Sequence, residues 1–372
     1  MYYSKFKDKE VSLLGMGCMR LPLDSQGEVD VDASVAAIRK GIDEGINYVD
    51  TAYVYHNGFS ERVLGMALRD GYREKVLIAD KMSIWLAKTE EDLDRLFDKQ
   101  LSRLGTDYID IYLLHNQNRN FFEKCKKLNI FSWLDQKKKE GKIRYTGFSF
   151  HDEYDVFEEI IKSYDWDMCQ IQFNYIDENY QAGIRGLKLA GEMNIPVVIM
   201  EPLKGGRLAS KLPPQIEPMW KEMSEDRKPV DWAFRWVADH PQVMTILSGM
   251  SSMDQVTENL ELFKTITPGC LSDGDRNVLS KIADTFRSLV EYGCTECRYC
   301  MPCPQRIDIP KTIRLYNDLA LYDNAAGVHT EYSWMAPYTA SKCVECKACE
   351  SHCPQSLPVS SIMKKGVEKF GE

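Results

Sequence analysis

The chain has no apolar run near the roughly 20 residues that a membrane helix needs. Its first ten residues, Met1 to Glu10, are charged and lack the apolar core of a signal segment. Positive charge is not in excess: 47 Lys and Arg stand against 56 Asp and Glu, a formal net charge of −9. That balance argues against a nucleic-acid glove or an anionic-membrane binder, so any phosphate recognition must be local. These absences set the expectation of a soluble, cytoplasmic protein with neither nucleic acid nor membrane as partner. Cysteine is thin over most of the length, with Cys18, Cys125, Cys169 and Cys270 scattered, while the other eight of twelve fall between Cys294 and Cys353. A secreted disulfide framework belongs to a short chain with a signal segment, and neither condition is met. Thiolates held as metal ligands are the better reading.

At 372 residues, 44% hydrophobic and 28% charged, the chain exceeds what one ordinary domain needs. Pro268, Gly269 and Gly274 interrupt the pattern between Thr267 and Gly274, which sets the expected division at residues 1–266 and 267–372. In the first part, short β-branched or aliphatic runs alternate with amphipathic segments, as in a parallel sheet wrapped by helices. The expected strands are Leu13–Cys18, Ile46–Asp50, Val76–Lys81, Tyr108–His115, Ile143–Ser149, Met168–Phe173, Ile195–Met200 and Val243–Ser248. Between the third and fourth, Thr89 reads as a helix cap with Asp92 three residues on, and Gly105 as the stop. Ser60–Leu68 and Ser252–Phe263 read as further helices. Eight strand–helix units in about 250 residues fit a closed (β/α)8 TIM barrel; a doubly wound open sheet would more often carry an early Gly-x-Gly-x-x-Gly turn, which is missing.

In such a barrel, functional groups gather at the C-terminal ends of strands and on the loops that follow. The second expected strand ends at Asp50 with Tyr55 close behind, the third at Lys81 and the fourth at His115. A phenol with an ordinary pKa of about 10 serves as a proton donor only if its neighbours stabilise the phenolate. Lys81 can do so, Asp50 can hold Lys81 charged and oriented, and His115 can hydrogen-bond a substrate oxygen. Each residue alone has an ordinary explanation as a cap, a solvated charge or a rim histidine; together they form a constellation.

Asp50-Thr51-Ala52 with Tyr55, Gly58-x-Ser60-Glu61, Lys81 and Leu113-Leu114-His115 resemble the catalytic tetrad of the aldo-keto reductases, over roughly residues 5 to 265. Gly147-Phe148-Ser149, Gln170 with Asn174, Glu201-Pro202-Leu203, Gly249 and Glu258-Asn259 follow in the family's order. The resemblance implies a nicotinamide cofactor, NADP or NAD, across the barrel mouth, hydride transfer to a carbonyl carbon, and protonation of its oxygen by Tyr55. It implies that Ser149 and Gln170 hold the carboxamide, and that Met200, Pro202, Leu203, Gly249, Ser251, Gln255 and Asn259 contact the cofactor. Three positions depart from the pattern: Met200 stands where an aromatic ring usually stacks, Phe150 where an asparagine often follows the serine, and Gln255 where an arginine commonly clamps the 2′-phosphate. Gln255 also completes Ser252-x-x-Gln255, a capping-box spacing, so cofactor contact and helix cap are both open for it, and NAD versus NADP stays open. The helix start there can take phosphate through its free N–H groups.

The tail contains two near copies of one motif, Cys294-x-x-Cys297-x-x-Cys300-x-x-Cys303-Pro304 and Cys343-x-x-Cys346-x-x-Cys349-x-x-x-Cys353-Pro354. Three thiolates at intervals of three can wrap one face of a cubane, with the fourth, before proline, supplied by a separate turn. Tetrahedral zinc is the rival, but it favours paired knuckles and would leave a thiolate unused. The tail resembles a bacterial two-cluster ferredoxin over about residues 290 to 360, a small and mainly helical fold that implies two [4Fe-4S] clusters. In that fold the last cysteine of each run serves the other run's cluster. Carried over, one cluster takes Cys294, Cys297, Cys300 and Cys353, and the other takes Cys343, Cys346, Cys349 and Cys303. A helix is expected over Lys311–Leu321.

Cys18 and Cys169 read as small buried thiols. Lys137-Lys138-Lys139 reads as a solvated helix end aligned with the dipole. Trp85, Phe121 and Phe122 sit on loops that either line a substrate pocket or bury loop surface, and the Pro-rich segment Leu212–Pro229 is a variable loop. The leading expectation is a nicotinamide-dependent oxidoreductase acting on a small carbonyl or alcohol. Its clusters would transfer electrons, with a carrier such as a ferredoxin or flavodoxin as partner. The alternatives are an electron-transfer protein whose barrel only binds a ligand or partner, and clusters that merely staple the tail.

Overall fold

The computed structural model describes residues 1–209, 213–223, 227–322 and 324–371, with Lys221 and Glu222 as backbone only. They form two compact units: Met1–Pro202 with Phe234–Cys270, and Leu203–Ala233 with Leu271–Glu372. Among the described residues, no helix is long and apolar enough to cross a membrane.

The first unit opens with an antiparallel hairpin, β1 (Tyr3–Phe6) and β2 (Lys9–Ser12). Eight parallel strands follow: β3 (Leu14–Gly17), β4 (Tyr48–Asp50), β5 (Leu77–Met82), β6 (Ile109–Gln117), β7 (Ile143–Phe150), β8 (Met168–Gln172), β9 (Val197–Met200) and β10 (Val243–Ser248). They close into a barrel in chain order, with β10 pairing back onto β3. All eight expected runs are strands. They were visible because parallel strands under a helical layer are buried on both faces and read as continuous apolar runs. The hairpin was not anticipated; its Lys5, Lys7, Asp8, Lys9 and Glu10 mask the two residues, Phe6 and Val11, that pack with Tyr48, Ile111, Leu113 and Val198.

The helix Glu91–Leu104 ends at Gly105, whose φ of 66° is the left-handed conformation that glycine adopts without strain. Its start differs from expectation. Thr89 does not cap it; the Asp92 carboxylate accepts the backbone N–H of Lys88 at 2.7 Å and of Thr89 at 3.2 Å, a longer reach than a hydroxyl offers. The helix Met253–Leu262 is capped by Ser252, whose Oγ accepts from the Gln255 amide. Lys137 is not solvated: it is buried and pairs with Asp94 at 2.7 Å and Glu140 at 3.2 Å, because the helix Ile130–Lys139 turns this last-turn residue inward. Cys18 and Cys169 are fully buried, as expected.

The second unit is helical. Its core joins Ile309, Ile313 and Tyr316 of the helix Ile309–Leu321, Val328 and Tyr332 of Ala325–Ser333, and Ile362, Met363 and Phe370 of Val359–Phe370. The expected helix over Lys311–Leu321 is present and starts two residues earlier, at an N-cap made by Asp308. In the Pro-rich loop, the helix Glu217–Met223 is described, whereas Leu212 and residues 224–226 lie outside the described residues.

Gly65 shows how tightly the barrel's outer layer is built. A Cβ there would lie 2.6 Å from the Leu104 carbonyl oxygen and 2.8 Å from that of Arg103, so the helix Ser60–Ala67 approaches its neighbour through bare backbone. Gly65→Ala is expected to destabilise the protein by about 1–3 kcal/mol, read as a lower midpoint in urea unfolding.

Candidate active site and cysteine sites

β4 ends at Asp50 and β5 carries Lys81 one residue from its end, the two strands lying side by side. Lys81 Nζ donates to Asp50 Oδ1 at 2.6 Å and to the Thr51 carbonyl at 2.6 Å. Two of its three N–H groups are thus committed. Lys81 has no exposed surface and Asp50 very little. Burial raises the Asp50 carboxyl above its ordinary range, and the Lys81 ammonium opposes that rise. Removing either partner would strand a charge in low dielectric.

Tyr55 starts a short turn in which His56, Asn57 and Gly58 all have positive φ. The turn holds its ring 5.0 Å from Lys81 Nζ, measured to the centroid, and edge-on to His115 at 5.9 Å. His115 lies in β6, and burial, then the Lys81 charge and His151, hold its imidazole well below the usual histidine range. It is neutral at pH 7, with Ser83 Oγ 3.5 Å from Nδ1. Trp85 packs 5.1 Å from the His115 ring and stacks on Phe121 at 5.3 Å, making an aromatic wall, while Phe122 is buried in the core. The four residues singled out on chemical grounds therefore converge at one mouth, with the aromatic wall beside His115.

A second buried network lies on the outer side of β5. Glu61 accepts from Arg103 at 2.5 Å and from Gln100 at 3.1 Å; Gln100 also donates to the Lys81 carbonyl at 3.2 Å and accepts from the Tyr112 hydroxyl at 2.5 Å. Asp80 Oδ1 accepts the Lys81 amide at 2.8 Å, and burial, then the Glu61 charge, push its carboxyl well above the usual range. The backbone that carries Lys81 is thus gripped on both sides of the chain.

The expected cofactor residues divide. Ser149 and Gln170 are buried on adjacent strands, β7 and β8. Ser149 Oγ accepts the Asn116 amide at 2.8 Å, and Gln170 Nε2 lies 3.5 Å from the Met200 sulfur. Gln170 Oε1 and Asn116 Oδ1 are buried without a hydrogen-bond partner among the described residues. Two orphaned acceptors fit a primary carboxamide, whose NH2 needs acceptors, so the residues present suit the nicotinamide end of the implied cofactor. Asn116 was missed in the sequence; its φ of 54° is a conformation asparagine tolerates. Gly249 leaves a narrow gap, since a Cβ there would meet the Arg20 side chain at 3.0 Å. Gln255 Oε1 accepts the Ser251 amide at 2.8 Å, one residue before the N-cap Ser252, so the expected capping box is present only in its Ser252 half. Asn259 is turned inward onto Ser248 Oγ at 3.0 Å. Pro202 is the last residue of the first unit's opening segment, and Leu203 belongs to the second unit.

In the second unit the two cysteine runs have the same backbone. Glu296, Arg298 and Arg306 have positive φ in the first run, as do Glu345, Lys347 and Ser356 in the second. Four of these left-handed residues lie between cysteines and the other two, Arg306 and Ser356, three residues after the last cysteine of each run, so both runs coil in the same way. One cavity is lined by Cys294, Cys297, Cys300 and Cys353; the other by Cys303, Cys343, Cys346 and Cys349, and Cys300 lines this second cavity as well. The last cysteine of each run thus faces the other run's triplet. Burial, then its neighbours Cys297, Cys294, Cys353 and Cys349, raise the Cys300 thiol, which shows how closely these sulfurs crowd. Amide N–H groups also point at sulfur, Glu296 N lying 3.4 Å from Cys294 Sγ. Four soft sulfurs lining one cavity, with an N–H donor to one of them, are of the chemistry that suits a [4Fe-4S] cubane.

Residues 13–268 match the model of the aldo/keto reductase family, and residues 293–357 match that of a 4Fe-4S dicluster domain. Among curated relatives, the NADH-specific methylglyoxal reductase of Escherichia coli is 28% identical over 303 residues, covering 70% of this chain and 90% of that protein. The L-galactose dehydrogenase of Arabidopsis thaliana is 27% identical, covering 68% and 84%. Among solved structures, the aldo-keto reductase AKR11C1 of Bacillus halodurans in its holo form superposes with a TM-score of 0.63 at 26% identity, over 76% of this chain and 96% of that one. An aldo/keto reductase of Klebsiella pneumoniae in complex with NADP and acetate gives a TM-score of 0.62 at 25% identity, over 76% and 95%. With the family model matched over residues 13–268 and the cysteine-rich segment matched over residues 293–357, this chain belongs to the aldo/keto reductase family and carries a 4Fe-4S dicluster domain.

Proposed function

We propose that the barrel reduces a small carbonyl compound to its alcohol, or runs the reverse reaction, with NAD or NADP, and that the dicluster domain carries single electrons. The observation that carries the first half is the buried Lys81–Asp50 pair set against the Tyr55 ring and a neutral His115. The nicotinamide, when bound, supplies a hydride to the carbonyl carbon. Everything else falls to the chain. Tyr55 gives its phenolic proton to the carbonyl oxygen, so that one hydride and one proton convert C=O to CH–OH. The Lys81 ammonium lowers the energy of the phenolate left behind, and Asp50 keeps that ammonium charged and in place. His115, neutral, orients the oxygen by a hydrogen bond without competing for the proton. Ser149, Gln170 and Asn116 would hold the carboxamide. The Trp85–Phe121 wall excludes water and favours a small, partly apolar substrate. The named activities of the relatives, on methylglyoxal and on a sugar, support this substrate class.

Electron exchange with an external one-electron carrier is favoured by the exposure of the second cysteine run: Cys346 is exposed and Val344 beside it is 61% exposed. A cluster there would stand within reach of a docked protein. Nicotinamides transfer hydride and cubanes transfer single electrons, so the two halves act in one turnover only through a substrate or carrier that accepts both. Anaerobic addition of NADH or NADPH tests that link directly; bleaching of the cluster absorbance would establish it.

Tyr55→Phe is expected to lower kcat by about 10²–10⁴-fold while leaving nicotinamide affinity, read by fluorescence quenching, unchanged; a fully active variant would refute the proton-donor role. Because the folded-state pKa of His115 lies well below 6.5, kcat/KM should show no inflection near 6.5 as pH falls from 8 to 6. A histidine titration in that window, absent from His115→Gln, would contradict the neutral imidazole. Cys353→Ser should impair the cluster of the first run and Cys303→Ser that of the second. Iron content and EPR of the two variants should therefore reveal the loss of different signals; loss of the same one would overturn the crossed allotment.

A further inference from the structure

We propose that Arg207 is the buried counter-charge that sets the reduction potential of the cluster held by Cys294, Cys297, Cys300 and Cys353; this rests on the iron–sulfur half of the reading above. Arg207 belongs to Leu203–Ala233, a segment that lies between two barrel strands in chain order yet is part of the second unit. Its side chain is only 10% exposed, and its Nη2 is buried without a hydrogen-bond partner among the described residues. Glu296 Oε1 lies 4.0 Å from Nη2, beyond hydrogen-bond range. A buried guanidinium held so loosely is costly unless another negative charge stands near.

The neighbouring groups indicate where that charge belongs. Glu296 is also the residue whose amide points at Cys294 Sγ. Arg207 thus stands one residue contact from Cys294, through Glu296, and its charge reaches Asp318 as well. A Cβ on Gly293, the residue before Cys294, would stand 4.0 Å from Lys204 Nζ, so a second cation borders the same run. Four thiolates around a [4Fe-4S]2+ core carry a net charge of −2, and one added electron makes it −3. A cation fixed in a low-dielectric site stabilises the reduced form more than the oxidised one and so raises the potential. In the other cavity, the exposed Cys346 and Val344 admit water, which screens charge. The effect is therefore selective for one of the two clusters.

The test uses the full chain purified anaerobically with its clusters, poised with dithionite and mediators and followed by EPR, with iron content and circular dichroism as checks on loading and folding. Arg207→Gln should lower the midpoint of one cluster by at least tenfold in the reduction equilibrium, about 59 mV for one electron, and leave the other within a third of that shift. Arg207→Lys should retain most of the wild-type value. An unchanged midpoint in Arg207→Gln, an equal fall in both clusters, or the same fall in Arg207→Lys would each overturn the proposal. If Arg207→Gln fails to hold iron, Glu296→Gln decides. It leaves Arg207 opposed by less negative charge and should raise the same midpoint; a midpoint unmoved or lowered overturns the assignment. The titration involves neither nicotinamide nor substrate, so its outcome is independent of Tyr55→Phe. A wild-type chain without [4Fe-4S] signals would instead refute the cluster reading itself, and this proposal with it.

Discussion

A lysine with no exposed surface is the constraint on which the barrel mouth depends. Burying an ammonium is tolerated only when its partners are fixed in advance, and Lys81 has two, a carboxylate and a backbone carbonyl, both at 2.6 Å. Those partners come from the end of β4 and the residue after it, so the spacing of β4 and β5 is tied to the charge. Around this pair the rest is arranged: the Tyr55 turn, with its run of positive φ angles, brings a phenol ring against the ammonium, and His115 on the next strand stays neutral because it is buried, with the same positive charge adding to that effect. The outer network of Glu61, Gln100, Arg103 and Asp80 holds the strand from behind. Polar groups are concentrated where packing alone would have placed apolar ones, the usual mark of a site whose stability is set by function.

The second unit solves a different problem. It has a modest core of three helices and two loops that would be hard to hold in shape without a bound group. Six residues with left-handed backbone, three in each run at matching places, give those loops their curvature. None of the six is glycine, so each carries a strain that a ligand set closing on iron would offset.

Much of this was legible in the sequence, for physical reasons that differ from residue to residue. The eight barrel strands stand out because they are apolar on both faces, and Asp50, Lys81 and His115 stand out only together, because polar groups ending three successive apolar runs make a constellation that none of them makes alone. The cysteine runs are legible by spacing alone. The hairpin of β1 and β2 escaped notice because its two core residues sit among five charged ones. Asn116 was hidden by the histidine beside it, its role arising from a backbone angle that sequence does not carry. Lys137 looked like one of three solvated lysines, and only the packing of its helix against Asp94 distinguishes it. Arg207 has no local signal at all: Glu296, which it approaches, is far along the chain, and only the fold brings the two together.

The crossed lining of the two cavities bears on how the protein is made. Neither cavity has all its walls until the segment from Cys343 to Val359 has been added to the one around Cys300. A ribosome that has released only the first run offers three sulfurs without a fourth. On the crossed allotment proposed above, a chain truncated before Cys343 would leave both centres short of ligands rather than one.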